Sequence, residues 1–218
     1  YASERDVDSI DFRLMVKNGV KLQGLVEKDT TLYPNYEYLV TRPFVISSGA
    51  KLIIKPGVTI RFGRDDLTQQ VGTFKFLDGE TQMIAKGTKD SLIYFRPDSY
   101  SGGFNIEFGK TNPGPSESRC DWCYIDRGRF FYNIYVTNSQ FVYGGIYAGR
   151  IENSNLVEPS SFYFQQWKHN NMVEPQQNGH LQYYNNQLFS NIIGNTQEKY
   201  NYIGNQRTYE PAGFYADS

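Results

Sequence analysis

Two cysteines three positions apart, Cys120 and Cys123, are the residues whose spacing most directly suggests chemistry. A C-x-x-C pair is typical of redox sites at a strand-to-helix turn, or supplies half of a tetrahedral zinc site. The chain has no second cysteine pair, and its two histidines, His169 and His180, lie far downstream. Residues i and i+3 of one strand also point to opposite faces. We therefore predict two reduced cysteines on a strand, with no disulfide between them and no bound metal or cofactor.

Four charged residues near the cysteines form the densest acid–base cluster of the sequence: Asp121, Asp126, Arg127 and Arg129. A glycoside hydrolase needs paired carboxylates, and a polysaccharide lyase needs a base together with a group that neutralises a uronate. Asp121 and Asp126 are five positions apart, so they face opposite sides of a strand unless a corner intervenes. Catalysis by this cluster is therefore the alternative hypothesis and not the main one.

Aromatic and amide side chains indicate a different kind of site. Aromatic residues make up 16% of the 218 positions, and Asn and Gln are abundant after residue 130. Aromatic rings stack on the apolar patches of sugars, while amide and guanidinium groups bind hydroxyl groups. We predict that eight residues contact such a ligand, although each could instead stack within a core: Trp122, Tyr124, Tyr147, Arg150, Trp167, His169, Tyr183 and Tyr184.

Composition and charge narrow the classes of partner. Lys and Arg (22) nearly balance Asp and Glu (23), which leaves a net charge of −1. A protein that follows nucleic-acid phosphates needs a basic face, so we expect no nucleic-acid partner. No apolar run approaches the roughly 18 residues of a membrane helix, so we expect no membrane span.

Short strands dominate the pattern of apolar residues. Period-2 alternation recurs in runs of about five residues between Gly, Asn, Asp or Pro, as in "GAKLIIKPGVTIRF". The Pro56-Gly57 turn separates the two strands of this stretch, because Pro restricts φ and Gly accepts positive φ. Near the start, "FRLMVKNGVKLQG" predicts a hairpin that turns at Asn18-Gly19 and belongs to an N-terminal cap.

Turns recur at regular distances in the first half of the chain. Gly57, Gly79 and Gly102 are separated by 22 and 23 residues, which is a suitable length for one three-sided coil of short strands. Stacked coils share a continuous apolar core that an isolated coil cannot form. The spacing therefore predicts a parallel β-helix.

The second half contains six blocks, "RCDWCY", "VTNSQF", "IENSNL", "WKHNNM", "YYNNQL" and "KYNYIG", which begin 17, 15, 16, 16 and 16 residues apart. Amides can donate and accept hydrogen bonds and tolerate corner conformations. We predict that Asn138, Asn153 and Asn185 occupy equivalent corners, buried or half-buried, and bond to neighbouring coils. Chance alignment in an Asn-rich tract is the alternative. The third residues of the blocks are Asp121, Asn138, Asn153, His169, Asn185 and Asn201.

Four stretches between residues 44 and 128 resemble secreted bacterial right-handed parallel β-helix proteins of the pectate-lyase-like superfamily: "VISSGAKLIIKPGVTIRFG", "MIAKGTKDSLIYFRPD", "FNIEFG" and "CDWCYIDRG". The resemblance implies this fold and a secreted or cell-surface location. The resemblance does not indicate one particular activity, since the superfamily includes polysaccharide lyases, glycoside hydrolases, epimerases, phage tailspikes, adhesins and modules without known activity.

We therefore predict an all-β chain with three segments: an N-terminal cap or hairpin over residues 1–34, a right-handed parallel β-helix over 35–205, and a C-terminal cap or tail over 206–218. The predicted function is a non-catalytic extracellular or cell-surface module, part of a larger surface protein, that binds carbohydrate or another surface polymer. The alternatives are a polysaccharide lyase or glycoside hydrolase and a structural or adhesin spacer.

Overall fold

A computed structural model describes residues 18–77, 80–98, 102–109, 118–132 and 134–157, and beyond them six strands between residues 161 and 210. Side chains are described within these ranges as far as Val157, apart from residues 18 and 147–149. Every regular element in this part of the chain is a β-strand. Over the same residues, no helix has the length and hydropathy to cross a membrane.

The strands follow one another in successive coils. Coils one to three consist of β1 (Asn18–Lys21), β2 (Gly24–Val26) and β3 (Thr30–Leu32); β4 (Tyr36–Val40), β5 (Phe44–Ile46) and β6 (Lys51–Ile54); and β7 (Thr59–Phe62), β8 (Thr73–Phe76) and β9 (Gln82–Lys86). Coils four and five consist of β10 (Ile93–Pro97), β11 (Phe104–Glu107) and β12 (Ser118–Asp121); and β13 (Cys123–Asp126), β14 (Gly128–Phe131) and β15 (Ile134–Thr137).

From coil six onward, two strands are described for each coil. They are β16 (Gln140–Val142) with β17 (Gly145–Glu152), β18 (Asn155–Val157) with β19 (Ser161–Lys168), and β20 (Asn170–Val173) with β21 (Leu181–Tyr183). The parallel strands end with β22 (Ser190–Ile193). An antiparallel hairpin follows, formed by β23 (Lys199–Ile203) and β24 (Gln206–Glu210).

Parallel pairing of each strand with its counterpart in the next coil produces three faces. Face A contains the first strand of every coil, nine strands from β1 to β22. Faces B and C contain the second and third strands of the coils. The two faces form one continuous sheet, because β17 pairs with strands of both faces and β19 then pairs with β17 along its length. The chain is a right-handed parallel β-helix, which confirms the predicted fold class and agrees with the usual handedness of parallel crossovers.

The core is built from columns of inward residues, one per coil. On most strands with described side chains the burial pattern alternates, as in Thr59–Phe62, where every second residue is buried. Aromatic rings stack between coils: the rings of Phe62 and Phe104 are parallel to within 5° at a centroid distance of 4.0 Å. Burial of these inward apolar side chains, aliphatic and aromatic, is the dominant favourable term in folding, and stacking is needed because an isolated coil leaves its apolar side exposed.

The corners explain why the coils become shorter along the chain. In the first half, corners contain loops, so that Thr59 of one coil pairs with Tyr94 of the next, 35 positions further on. In coil five, corners of one or two residues replace the loops, and each begins with a residue whose φ lies between 52° and 64°, namely Trp122, Arg127 and Tyr132. A left-handed residue turns the chain within one position, and Tyr124 therefore pairs with Gln140 only 16 positions later.

The hairpin predicted at Asn18-Gly19 is wrong. Both residues lie inside β1, which runs parallel to β4 and places Gly19 beside Glu37. A two-residue hairpin turn needs positive φ, whereas Gly19 is part of an extended strand. The described β-helix thus begins before residue 35, while residues 1–17 of the predicted cap lie outside the described part.

The turn spacing that motivated the fold prediction does not mark equivalent positions. Gly57 precedes face A and Gly102 precedes face B, so the two glycines lie at different corners, and Gly79 falls outside the described residues. The fold prediction was correct because each corner of a β-helix needs a turn, not because these three turns repeat.

The six-block alignment is correct only in its middle. Asn138 and Asn153 do occupy equivalent corners, both with φ of 49°. The first block is shifted by one residue, because Asp121 pairs with Thr137 and Trp122 therefore stands level with Asn138. At the other end, Asn171 pairs with Asn191, 20 positions later, and the last block forms β23 of the hairpin. Asn185 lies outside the described residues.

The prediction that Cys120 and Cys123 are unbonded is also wrong, since they form a disulfide with Cα atoms 6.2 Å apart. Residues i and i+3 point to opposite faces only within one continuous strand. Trp122, with φ of 52°, breaks the strand between them, so both cysteines point into the core, with exposures of 0% and 1%.

Candidate functional site

The corner between faces C and A brings together polar residues from three consecutive coils. Each coil contributes an outward residue that ends face C, a left-handed residue at the corner itself, and an outward residue that begins face A. We call these nine residues the corner ridge: Asp121, Trp122 and Tyr124; Thr137, Asn138 and Gln140; and Glu152, Asn153 and Asn155. Neighbouring members of each row are about 4.8 Å apart, the spacing of paired strands.

Hydrogen bonds connect the first two coils of the ridge. Oδ1 of Asp121 accepts a hydrogen bond of 2.6 Å from Thr137 Oγ1 and another of 2.8 Å from Asn138 Nδ2. Asn138 is half-buried and bonds to the neighbouring coil, as predicted, whereas Asn153 is exposed and so contradicts the predicted burial. The carboxylate of Asp121 therefore orients the amide of Asn138 at the surface.

Face C extends the ridge with an aromatic side chain and a cation. The hydroxyl of Tyr135 donates a 2.6 Å hydrogen bond to Glu152 Oε2. The guanidinium of Arg150 lies over the ring of Tyr135, 5.1 Å from its centroid. A cation over an aromatic face is stabilised by the ring quadrupole, so Tyr135 holds both a carboxylate and a guanidinium beside the ridge.

Face A extends the ridge toward coil four through a pair of tyrosines. The rings of Tyr94 and Tyr124 are 5.8 Å apart and inclined at 47°. Burial raises the pKa of the Tyr124 hydroxyl, and the carboxylate of Asp126 and the hydroxyls of Tyr94 and Tyr143 add to this effect. Tyr124 therefore stays neutral at physiological pH and presents a donor and an acceptor beside an aromatic surface.

The row that begins face A continues as amides into later coils. Gln140 pairs with Asn155, Asn155 with Asn171, and Asn171 with Asn191. The register therefore places four amide residues in one row over four coils, directly after Tyr94 and Tyr124. Where side chains are described, at Gln140 and Asn155, the row offers an amide donor and acceptor in each coil to an extended ligand.

The predicted ligand-binding residues do not form one group. Trp122 and Tyr124 belong to the corner ridge, and Arg150 lies beside it. Tyr147 pairs with Phe131 on face B, and Trp167 pairs with Ile151 where β19 lies beside β17. Tyr183 belongs to β21, whereas His169 and Tyr184 lie outside the described residues.

The predicted catalytic set is divided among three faces. Asp121 ends face C and Asp126 lies on face A, because the corner at Trp122 intervenes between them. Arg127 forms the corner between faces A and B, and Arg129 is exposed on face B. These four side chains therefore do not surround one substrate. Across the described residues, no group of three His, Cys, Asp or Glu side chains could hold a metal ion.

Sequence reasoning missed Tyr94, Thr137, Gln140, Glu152 and Asn155 as site residues. The 16-residue period contained a signal for most of them, because in "VTNSQF" and "IENSNL" the residue before the corner asparagine and the residue two positions after it are polar. Tyr94 could not be found this way, since a loop separates it from Tyr124 by 30 positions.

Comparisons with known proteins found no matching family model, no matching curated protein and no matching solved structure.

Proposed function

We propose that this chain is a non-catalytic module of an extracellular or cell-surface protein, and that it binds a hydroxyl-rich polymer, a polysaccharide in the first instance, along the corner ridge. The observation that carries the proposal is the recurrence of polar groups once per coil at one corner. A polymer with repeating hydroxyl groups can meet equivalent partners in successive coils, so that weak contacts add along its length.

The charges of the ridge favour a neutral ligand. Asp121 and Glu152 bear carboxylates in two of its three coils. A polyanion approaching this corner meets like charge, which opposes binding. Amide, hydroxyl and aromatic groups supply the remaining surface, and these groups bind neutral sugars by hydrogen bonds and stacking.

The disulfide supports the location outside the cytosol. Disulfides persist in oxidising compartments, whereas cytosolic thiols are kept reduced. The Cys120–Cys123 bond is therefore compatible with a secreted or surface protein, which is also what the resemblance to secreted β-helix proteins implies.

The test is a panel of soluble glycans, neutral and acidic, screened for retention of the protein by affinity electrophoresis. In the variant Trp122→Asn, the corner keeps the residue type of Asn138 and Asn153 while the indole is lost. In Gln140→Ala/Asn155→Ala, two amides of one row are removed. We expect both to weaken binding of neutral glycans, while Asn105→Ala on face B leaves it unchanged.

Each other outcome rejects part of the proposal. Tighter retention by acidic glycans would contradict the neutral ligand. New reducing ends or unsaturated uronate products, lost in Asp121→Asn, would show that the chain is an enzyme. Absence of binding and cleavage across the panel would favour a structural spacer.

A further inference from the structure

The corner beneath the ridge has the same construction in three coils, but one of them uses a different bond. In coils six and seven the left-handed residue is Asn138 or Asn153, and a buried serine follows it. Ser139 Oγ donates to the carbonyl of Thr137 at 2.6 Å, and Ser154 Oγ donates to the carbonyl of Glu152 at 2.9 Å. Each serine thereby closes the corner by bonding to the carbonyl two residues before it.

In coil five the equivalent positions are Trp122 and Cys123. Cys123 Sγ lies 3.7 Å from the carbonyl of Asp121, the same relative position that the serine hydroxyls occupy. A disulfide sulfur has no hydrogen to donate, so this contact cannot close the corner as serine does. The covalent bond to Cys120 closes it instead.

Trp122 is also the one residue of this corner row that is poorly suited to its left-handed conformation, since the other two are asparagines. Asn enters the left-handed region readily, whereas a bulky side chain does so at a cost in free energy. Arg127, Tyr132 and Tyr143 are also bulky left-handed residues, but they lie at corners other than the one beneath the ridge. Trp122 differs from them in that the residue after it, Cys123, is held by a disulfide.

We infer that the Cys120–Cys123 disulfide is a covalent clamp that holds Trp122 in the left-handed conformation and so presents its indole on the corner ridge. The inference rests on the proposed function for the ligand, but the clamp itself concerns only this chain. Cys120 and Cys123 are positioning residues in this scheme, since both are buried beneath the ridge. Trp122 is the residue that would touch the sugar.

A double-mutant cycle tests the clamp without any ligand. Cys120→Ala/Cys123→Ala removes the clamp, and Trp122→Asn removes the residue that needs it. If the clamp serves Trp122, its removal lowers the unfolding midpoint more in the wild-type background than in the Trp122→Asn background. Equal losses in the two backgrounds would overturn the inference.

Tryptophan fluorescence and a rescue variant test the presentation of the indole. In a Trp167→Phe background, Trp122 is the one remaining tryptophan, and loss of the clamp is expected to change its quenching by acrylamide. In Cys120→Val/Cys123→Ser, position 120 carries valine, as its paired residue Val136 does, and position 123 carries a serine that can close the corner as Ser139 does. We expect this variant to recover the quenching and glycan affinity of the wild type, and it also serves if the alanine pair fails to fold.

The two proposals can fail separately. If the wild type binds no glycan, the proposed function is rejected, while the stability cycle and the quenching still decide the clamp. If the wild type binds a glycan and the alanine pair folds and binds equally well, the clamp is rejected and the proposed function stands.

Discussion

The hydroxyl oxygen of Ser139 accepts a 2.9 Å hydrogen bond from the backbone N–H of Cys123 in the preceding coil, and both residues are buried. In the same way, the hydroxyl oxygen of Ser154 accepts a 3.1 Å hydrogen bond from the backbone N–H of Ser139. The ladder inside this corner therefore consists of serines, while the asparagines at the corner face outward. Buried N–H groups need such partners, because an unsatisfied donor retains its full desolvation penalty.

Replacing Ser139 with Ala should lower the free energy of unfolding by about 1–3 kcal/mol, because the Cys123 N–H and the Thr137 carbonyl each lose a partner. Urea-induced unfolding provides the measurement. Ser91→Ala, at a half-buried serine in the turn before β10, is the matched control and should change stability less. Equal effects in the two variants would show that the ladder does not support the corner.

Replacing Gly87 with Ala should disturb the contact between coils four and five. A Cβ at this position would lie 2.4 Å from the carbonyl oxygen of Trp122 and 3.2 Å from that of Asp121. Both atoms belong to the backbone, so relief requires a shift of the corner, with a cost of about 1–3 kcal/mol. Thermal unfolding should show a lower midpoint.

Gly102→Ala is the control for this substitution, because the nearest atom to its Cβ would be Val71 Cγ2 at 3.8 Å, an ordinary contact. Its stability should be unchanged or slightly raised, since alanine restricts the unfolded chain. A stable Gly87→Ala protein with unaltered Trp122 fluorescence would contradict the close approach of the two coils.

Asp65 should make stability depend on acid pH. The hydrogen bond from Arg42 is the main cause that lowers the pKa of this carboxyl from 3.8 to about 2, and the N–H groups of Thr68 and Leu67 contribute. Because the pKa is lower in the folded state, protonation favours unfolding. The stabilising contribution is complete above about pH 4 and is lost as the pH falls toward 2.

Asp65→Asn should therefore lower the thermal midpoint at neutral pH and weaken its dependence on pH between 4 and 2. Melting curves over this range give the comparison, with Asp66→Asn, the exposed neighbour, as control. An unchanged pH profile in Asp65→Asn would mean that the loop from Arg64 to Val71 does not depend on this carboxylate.

Phe62 should be among the most costly residues to truncate. Its ring stacks on Phe104 at 4.0 Å and meets the ring of Phe74 at 5.2 Å, and the side chain is almost fully buried. Phe62→Ala should destabilise the protein by about 3–5 kcal/mol, because a cavity remains between two coils. Leu67→Ala, at a side chain that is 84% exposed, should have little effect in the same denaturant titration.

Alternation of apolar residues was sufficient to predict the strands, whereas the fold class was inferred from recurring turns and from the resemblance to β-helix proteins. Val58, Ile60 and Phe62 are buried as their period-2 pattern requires. The 16-residue period also placed Asn138 and Asn153 at equivalent corners. These features are local or repeat at a fixed distance, so they can be recognised without knowledge of the pairing between coils.

The corner at Trp122 shows where such reasoning stops. Asp121 appeared equivalent to Asn138 because both are polar and third in their blocks. Strand register instead pairs Asp121 with Thr137, and the left-handed residue is Trp122. That one-residue shift also reversed the prediction for Cys123, since the corner turns its side chain inward toward Cys120.

The sequence by itself thus determined that the chain forms short strands, that they stack as a parallel β-helix, and that amides recur at one corner. Only the tertiary structure decided which side chains share a surface. Tyr94 and Tyr124 become neighbours across 30 positions, while Asp121, Asp126 and Arg129, within 9 positions, lie on three faces. The reason is physical: a side chain's position in a β-helix depends on where each corner falls, and corners differ in length from one residue to a whole loop.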